Sequence, residues 1–164
     1  KIEFDLEYFN KITKGGLPNK TLNIALAGTG VGKSLFMCHV ASSVLLQGRN
    51  VLYITLEMAE ERIAERIDAN LLNVPIQEIV ELPKPMFENK VTKLAKKTQG
   101  TLIIKEYPTA SAHSGHFKSL LNELALKKSF RPDIIFIDYL NICSSSRFRG
   151  GSNVCPLKVL GLQA

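Results

Sequence analysis

Four runs of this chain carry consecutive apolar residues, not one at every second position, and this pattern restricts the fold more than any other feature. Residues 21–27, 51–56, 101–106 and 134–137 read as strands whose two faces are both buried. Between them lie stretches with helical periodicity. Buried strands alternating with helices predict an α/β chain, with a mostly parallel sheet sandwiched between two helical layers. Ligands of such sheets sit beyond the carboxyl ends of the strands. The chemistry is therefore expected just after residues 27, 56, 106 and 137.

The intervening helices can be read from their apolar spacing. Residues 34–47 predict a helix with Phe36, Val40 and Val44 inward, a polar stripe of His39, Ser42, Ser43 and Gln47, and a stop at Gly48. The next helix buries Ile63, Ile67 and Leu71. Pro75, Pro83 and Pro85 punctuate a short helical and looped stretch. A helix near 86–98 turns Phe87, Val91 and Leu94 inward and ends at Gly100. Residues 116–128 form another on Leu120, Leu121 and Leu124, and Arg131-Pro132-Asp133 leads into the fourth strand.

A length of 164 residues is one ordinary domain that can bury a core without disulfides or metal. No repeat and no linker divides it. With 45% hydrophobic and 22% charged residues the chain is neither disordered nor fibrous, and no apolar run approaches a membrane span. The opening Lys1-Ile-Glu-Phe-Asp-Leu-Glu7 is acidic and amphipathic, unlike a signal peptide, and a first residue that is not Met reads as a trimmed or partial chain. Lysine plus arginine at 21 against 15 acids leaves +6, a weak preference for polyanionic partners. Cys38, Cys143 and Cys155 form no CxxC pair and have no histidine at metal-ligand spacing, so they read as reduced packing thiols in a cytoplasmic-type compartment. His39, His113 and His116 are assigned no chemistry.

Ala27-Gly28-Thr29-Gly30-Val31-Gly32-Lys33-Ser34 follows the first strand and opens the first helix. Glycines at these positions let the backbone wrap an anion with its amide N–H groups at a helix N-terminus. Lys33 then reaches the β- and γ-phosphates and the Ser34 hydroxyl ligates Mg²⁺. The strict phosphate-loop pattern has Gly where this chain has Ala27. A ligand-free turn would account for the glycines but not for Lys-Ser directly after them.

Two carboxylates complete the expected site. Asp138 ends the fourth strand, where it would hold Mg²⁺ opposite the phosphate loop or, more blandly, cap the next turn. Glu57 follows the second strand at the same edge. It could orient and deprotonate the water that attacks the γ-phosphate, or serve as an N-terminal charge on the next helix.

Thr55-Leu56-Glu57-Met58 and Asp138-Tyr139-Leu140, with the Ala-first phosphate loop, resemble the RecA-like ATPase core of DnaB-like replicative helicases. Gly15-Gly16-Leu17, Arg66-Ile67-Asp68-Ala69-Asn70, Tyr107-Pro108-Thr109 and Ser119-Leu-Leu-Asn-Glu-Leu124 are similar in order and spacing to its branch in T-even-type bacteriophages. The resemblance runs from near the N-terminus to about Cys143. It implies a hexameric ring that hydrolyses ATP or another nucleoside triphosphate with Mg²⁺ at subunit interfaces and moves along single-stranded DNA. It also implies primase and other replisome partners, no membrane, and the cytoplasm of a host cell if a phage encodes the chain. Lys33, Ser34, Glu57 and Asp138 take the roles given above. The family's glutamine sensor, arginine finger and most DNA-contacting loops lie beyond the matching region.

On this reading residues 1–20 are a lead-in, 21–143 a nucleotide-binding core truncated at its C-terminal side, and 144–164 an atypical tail. In RecA-like sheets the strand between the phosphate-loop strand and the Asp138 strand comes from beyond the matching region, so a gap is expected there. Leu157-Lys-Val-Leu160 is a candidate surrogate strand for it; the alternative is that the flanking strands close up and pair. Arg147 and Arg149, around Phe148, form either a DNA-facing loop or a solvated one, and Lys90, Lys93, Lys96 and Lys97 a solvated helix face, with DNA contact as the alternative. Rival expectations are another RecA-like ATPase such as a recombinase or clock-type ring, a nucleotide-binding module without turnover, and a small-molecule phosphotransferase.

Overall fold

The computed structural model describes residues 1–28, 30–98 and 100–145. Its helices are α1 (Glu7–Ile12), α2 (Lys33–Leu46), α3 (Glu60–Leu72), α4 (Ile76–Glu81), α5 (Lys84–Lys97) and α6 (Ser114–Lys128). Three strands, β1 (Val51–Thr55), β2 (Leu102–Glu106) and β3 (Ile134–Asp138), form one parallel sheet in the order β2-β1-β3. The protein is thus an α/β chain, as its apolar runs imply.

Asn50 sets the register at the start of the sheet. Its backbone N–H donates to Asp133 Oδ2 at 2.8 Å, its side-chain amide donates to the Arg131 carbonyl at 3.2 Å, and its Oδ1 accepts from Thr101 N at 3.1 Å. One residue therefore ties together the entrances of all three strands. Val51 then pairs with Leu102 and Ile134, and Thr55 with Glu106 and Asp138, so the three carboxyl ends finish level.

β1 is buried along its whole length, as a strand with a neighbour on each side and a helical layer on each face must be. Alternate side chains serve alternate faces. Val51 and Tyr53 join Ala41, Val44, Ile63 and Ile67 of α2 and α3. Leu52 and Ile54 join Leu120 and Leu124 of α6, together with Phe130. Each fully buried Ile or Leu contributes about 1.5–3 kcal/mol of transfer free energy. The N-terminal lead-in rests on the first of these faces. Ile2 bridges Leu17, and Phe9 packs between Phe4 and Phe36 with ring centroids 5.3 Å from each.

Several expectations need correction. Residues 21–27 are not a strand: no ladder pairs them among the described residues, and Leu26 is 95% exposed. A slot of about 1490 Å³ separates this segment from β3, lined by Leu22, Ile24 and Leu26 on one side and Ile135, Phe136 and Ile137 on the other. The expected gap is present. The flanking runs do not close up and pair: among the described residues no ladder joins residues 21–27 to β3. Residues 157–160 lie outside the described residues, as do Thr29, Arg147, Arg149 and Cys155.

The polar stripe on α2 is only partly open to solvent: Gln47 is exposed and His39 half-buried, but the two serines are covered. Ser42 and Ser43 are buried, and the Ser42 hydroxyl lies 2.9 Å from the Cys38 carbonyl and 3.3 Å from that of Ile67. Small hydroxyl residues that can satisfy themselves on helix carbonyls let α3 come close. On α5 the inward set is only partly covered, and Val91 is exposed because the helix lies at the rim. His113 and His116 cap α6: His113 Nδ1 accepts from Gly115 N at 3.0 Å and His116 Nδ1 from His113 N at 3.2 Å. Cys38 and Cys143 are free and buried. Among the described residues no helix is long and apolar enough to cross a membrane.

Candidate nucleotide site

The loop before α2 has the backbone its glycines allow. Gly30 and Gly32 take φ of 75° and 100°, in the left-handed region that disfavours other residues. Gly32 is also the N-cap of α2, which has no side-chain cap and no acidic residue in its first turn. A 14-residue helix thus presents an uncapped, positively polarised N-terminus, a setting that attracts an anion.

Lys33 begins this helix and turns toward β3. Its Nζ lies 3.5 Å from Asp138 Oδ1 and 3.8 Å from the centroid of the Tyr139 ring. Asp138 is 1% exposed, and its Oδ1 has no hydrogen-bond partner. Its other oxygen, Oδ2, accepts from the Tyr53 hydroxyl at 3.1 Å. Behind that hydroxyl, the Cys38 thiol donates to the Tyr53 oxygen across 3.9 Å. Burial pushes the Cys38 thiol up to about 11 and the Tyr53 phenol far above its ordinary value, so both remain protonated donors.

Glu57 stands on a stiffened corner. Thr55 Oγ1 accepts from Met58 N at 3.1 Å and donates to the Met58 carbonyl at 2.7 Å, and the Thr109 hydroxyl donates to the Leu56 carbonyl at 2.9 Å. Glu57 itself is exposed. It lines the same slot as Gly28, Gly30, Gly32, Lys33 and Ser34, with Asp138 behind Lys33. Residues more than 100 positions apart are thereby gathered at the carboxyl edge of the sheet. Val31 is exposed beside this lining.

Residues 2–154 match the family model described as the DnaB-like helicase C terminal domain. The chain belongs to that family. Its fold is accordingly RecA-like, and the three described strands are part of such a sheet. The chain is 51% identical over 152 residues to the DnaB-like replicative helicase of Enterobacteria phage T4, covering 91% of this chain and 32% of that protein. It is 29% identical over 120 residues to the DNA repair protein RadA of Campylobacter jejuni, covering 65% and 26%. A probable plasmid replicative DNA helicase of Chlamydia muridarum shares 27% identity over 132 residues, covering 79% and 29%. The chain thus spans about a third or less of the length of these curated relatives.

Sequence reasoning overlooked three neighbours of the site. Arg66 lines the slot from α3, Tyr139 lies under the Lys33 ammonium, and Tyr53 bonds Asp138. Only Tyr53 had a legible signal. A tyrosine within a fully apolar strand must find a partner for its hydroxyl, and a buried carboxylate is such a partner.

Proposed function

We propose that this chain is the nucleotide-binding and hydrolysing core, residues 21–143, of a hexameric replicative DNA helicase that moves along single-stranded DNA. The observation that carries the reading is one slot lined by Gly28, Gly30, Gly32, Lys33, Ser34 and Glu57, with a buried carboxylate oxygen of Asp138 left without a hydrogen bond beside it. The uncapped start of α2 would cradle the phosphates of ATP, with Thr29 and Val31 contributing loop backbone. Lys33 would leave Asp138 and neutralise the β- and γ-phosphates.

The residues also fit a magnesium ion. Ser34 and Asp138 would hold it jointly with the phosphates, which suits a cation bound through few protein ligands. Held there, the ion would supply positive charge against the charge that develops on the phosphates. Glu57, which lines the slot, would orient the attacking water and accept its proton. The single-stranded DNA track, the ring and any primase contact are carried over from the family, and Arg147 and Arg149 remain its DNA-facing candidates.

Titration calorimetry of Lys33→Ala tests the reading. Loss of a charge-assisted phosphate contact should cost ~1.5–3 kcal/mol, roughly ten- to hundredfold in Mg-ATP affinity. Unchanged affinity would remove the phosphate-loop assignment. Turnover by the lone chain should be slow, since an arginine donated by a neighbouring subunit is worth on the order of 10³–10⁵ in rate. Steady hydrolysis at tens of turnovers per second would contradict a site completed between subunits.

A further inference from the structure

The two oxygens of Asp138 are in different situations. Oδ2 is anchored by the Tyr53 hydroxyl at 3.1 Å, whereas Oδ1 faces Lys33 Nζ at 3.5 Å and has no hydrogen bond. The torsion that swings a carboxylate is broad and nearly two-fold, so packing alone does not select which oxygen faces Lys33. A hydrogen bond to one oxygen does.

Tyr53 is unusually placed for this task. It lies in the middle of β1 with no exposed surface, and its ring stacks on Phe136 with centroids 5.6 Å apart and planes 19° from parallel. The surrounding face is otherwise apolar, formed by Val44, Val51, Ile63 and Ile67. Phenylalanine would fill that space equally well, and burying a hydroxyl is unfavourable unless it is bonded. The Cys38 thiol, 3.9 Å away on α2, donates to the hydroxyl oxygen and leaves its proton for Asp138. Cys38 lies on the helix that Lys33 begins. The chain of contacts thus runs from the phosphate-loop helix, through the central strand, to the carboxylate at the end of β3.

We infer that Tyr53, backed by Cys38, is a positioning residue for the metal-holding carboxylate: it anchors Oδ2 of Asp138 so that Oδ1 is presented to a magnesium ion bound with nucleotide. This rests on the nucleotide reading above. A hydroxyl that merely satisfies the core would affect folding alone, whereas a positioning hydroxyl affects the magnesium requirement of nucleotide binding.

The test is calorimetric titration of ATP into the full chain over a series of Mg²⁺ concentrations and in EDTA, for wild type, Tyr53→Phe, Cys38→Ala and Asp138→Asn. Tyr53→Phe should raise the Mg²⁺ concentration for half-maximal tight binding about three- to tenfold, the range one hydrogen bond carries. Its affinity for ATP in EDTA should stay within about twofold of wild type, as Lys33 and the loop are untouched. An unchanged Mg²⁺ requirement in Tyr53→Phe, with a raised one in Asp138→Asn, overturns the inference and leaves the metal site standing. No shift in Asp138→Asn overturns the metal site itself. If Tyr53→Phe does not fold by circular dichroism, Cys38→Ala decides: a requirement raised about twofold supports the chain of contacts, and an unchanged one overturns it.

Discussion

β3 has a built side and an open side. Toward β1 it makes a full parallel ladder, from Val51 opposite Ile134 to Thr55 opposite Asp138, and the strand it meets is buried throughout. Away from β1 it faces the slot, beyond which Leu22, Ile24 and Leu26 stand exposed. The segments flanking β3 are similarly apolar, so hydrophobicity does not explain their different fates. The difference lies in the neighbours. β1 has a hydrogen-bonded strand at each edge and a helical layer on each face, whereas residues 21–27 have no ladder partner among the described residues. An apolar run becomes a strand only where its N–H and C=O groups are paired. The proposed nucleotide site lies where these regions meet, drawing Asp138 and Glu57 from the built side and Lys33 and the glycine loop from beside the slot.

Amide hydrogen exchange should give the largest contrast. With a stability of ~5 kcal/mol, the amides of Leu52, Tyr53 and Ile54 should exchange about 10³–10⁴ times more slowly than those of Leu22, Asn23 and Ile24. Equal protection would mean that the slot is filled in solution and would break the comparison. Next in size is Ile67→Ala, which empties a fully buried position under β1 and should cost about 2–5 kcal/mol in urea denaturation. A much smaller cost would show that this face of the sheet is less rigid than its burial indicates. The smallest effect sharpens the contrast from the open side. Leu26→Ala should change stability by no more than about 0.5 kcal/mol, as for other exposed positions. A loss comparable to that of Ile67→Ala would reveal a partner packed against Leu26.

The proposed site is legible in the sequence where its residues are adjacent in the chain. Gly28 to Ser34 reads directly as a phosphate loop, because loop and helix N-terminus are contiguous in the chain. Glu57 and Asp138 could be placed at one edge because parallel strands all present their carboxyl ends there. The α2 stripe misled because polarity in a helical period normally marks solvent, while the Ser42 hydroxyl is satisfied on the carbonyls of Cys38 and Ile67 and Ser43 accepts from Gln47.

What the sequence by itself determined was the set of short-range properties: which runs are apolar enough for a doubly covered sheet, where the helices begin and end within a few residues, and the backbone freedom of Gly30 and Gly32. Tertiary structure alone decided which apolar run obtained neighbours and which oxygen of Asp138 was tied down. Tyr53 and Asp138 are 85 residues apart and meet only because Asn50 sets three strands in one register. Periodicity is a local property carried by a few consecutive side chains. Ladder pairing and a buried hydrogen bond require two distant segments to arrive together, and no local pattern states which partner will be there.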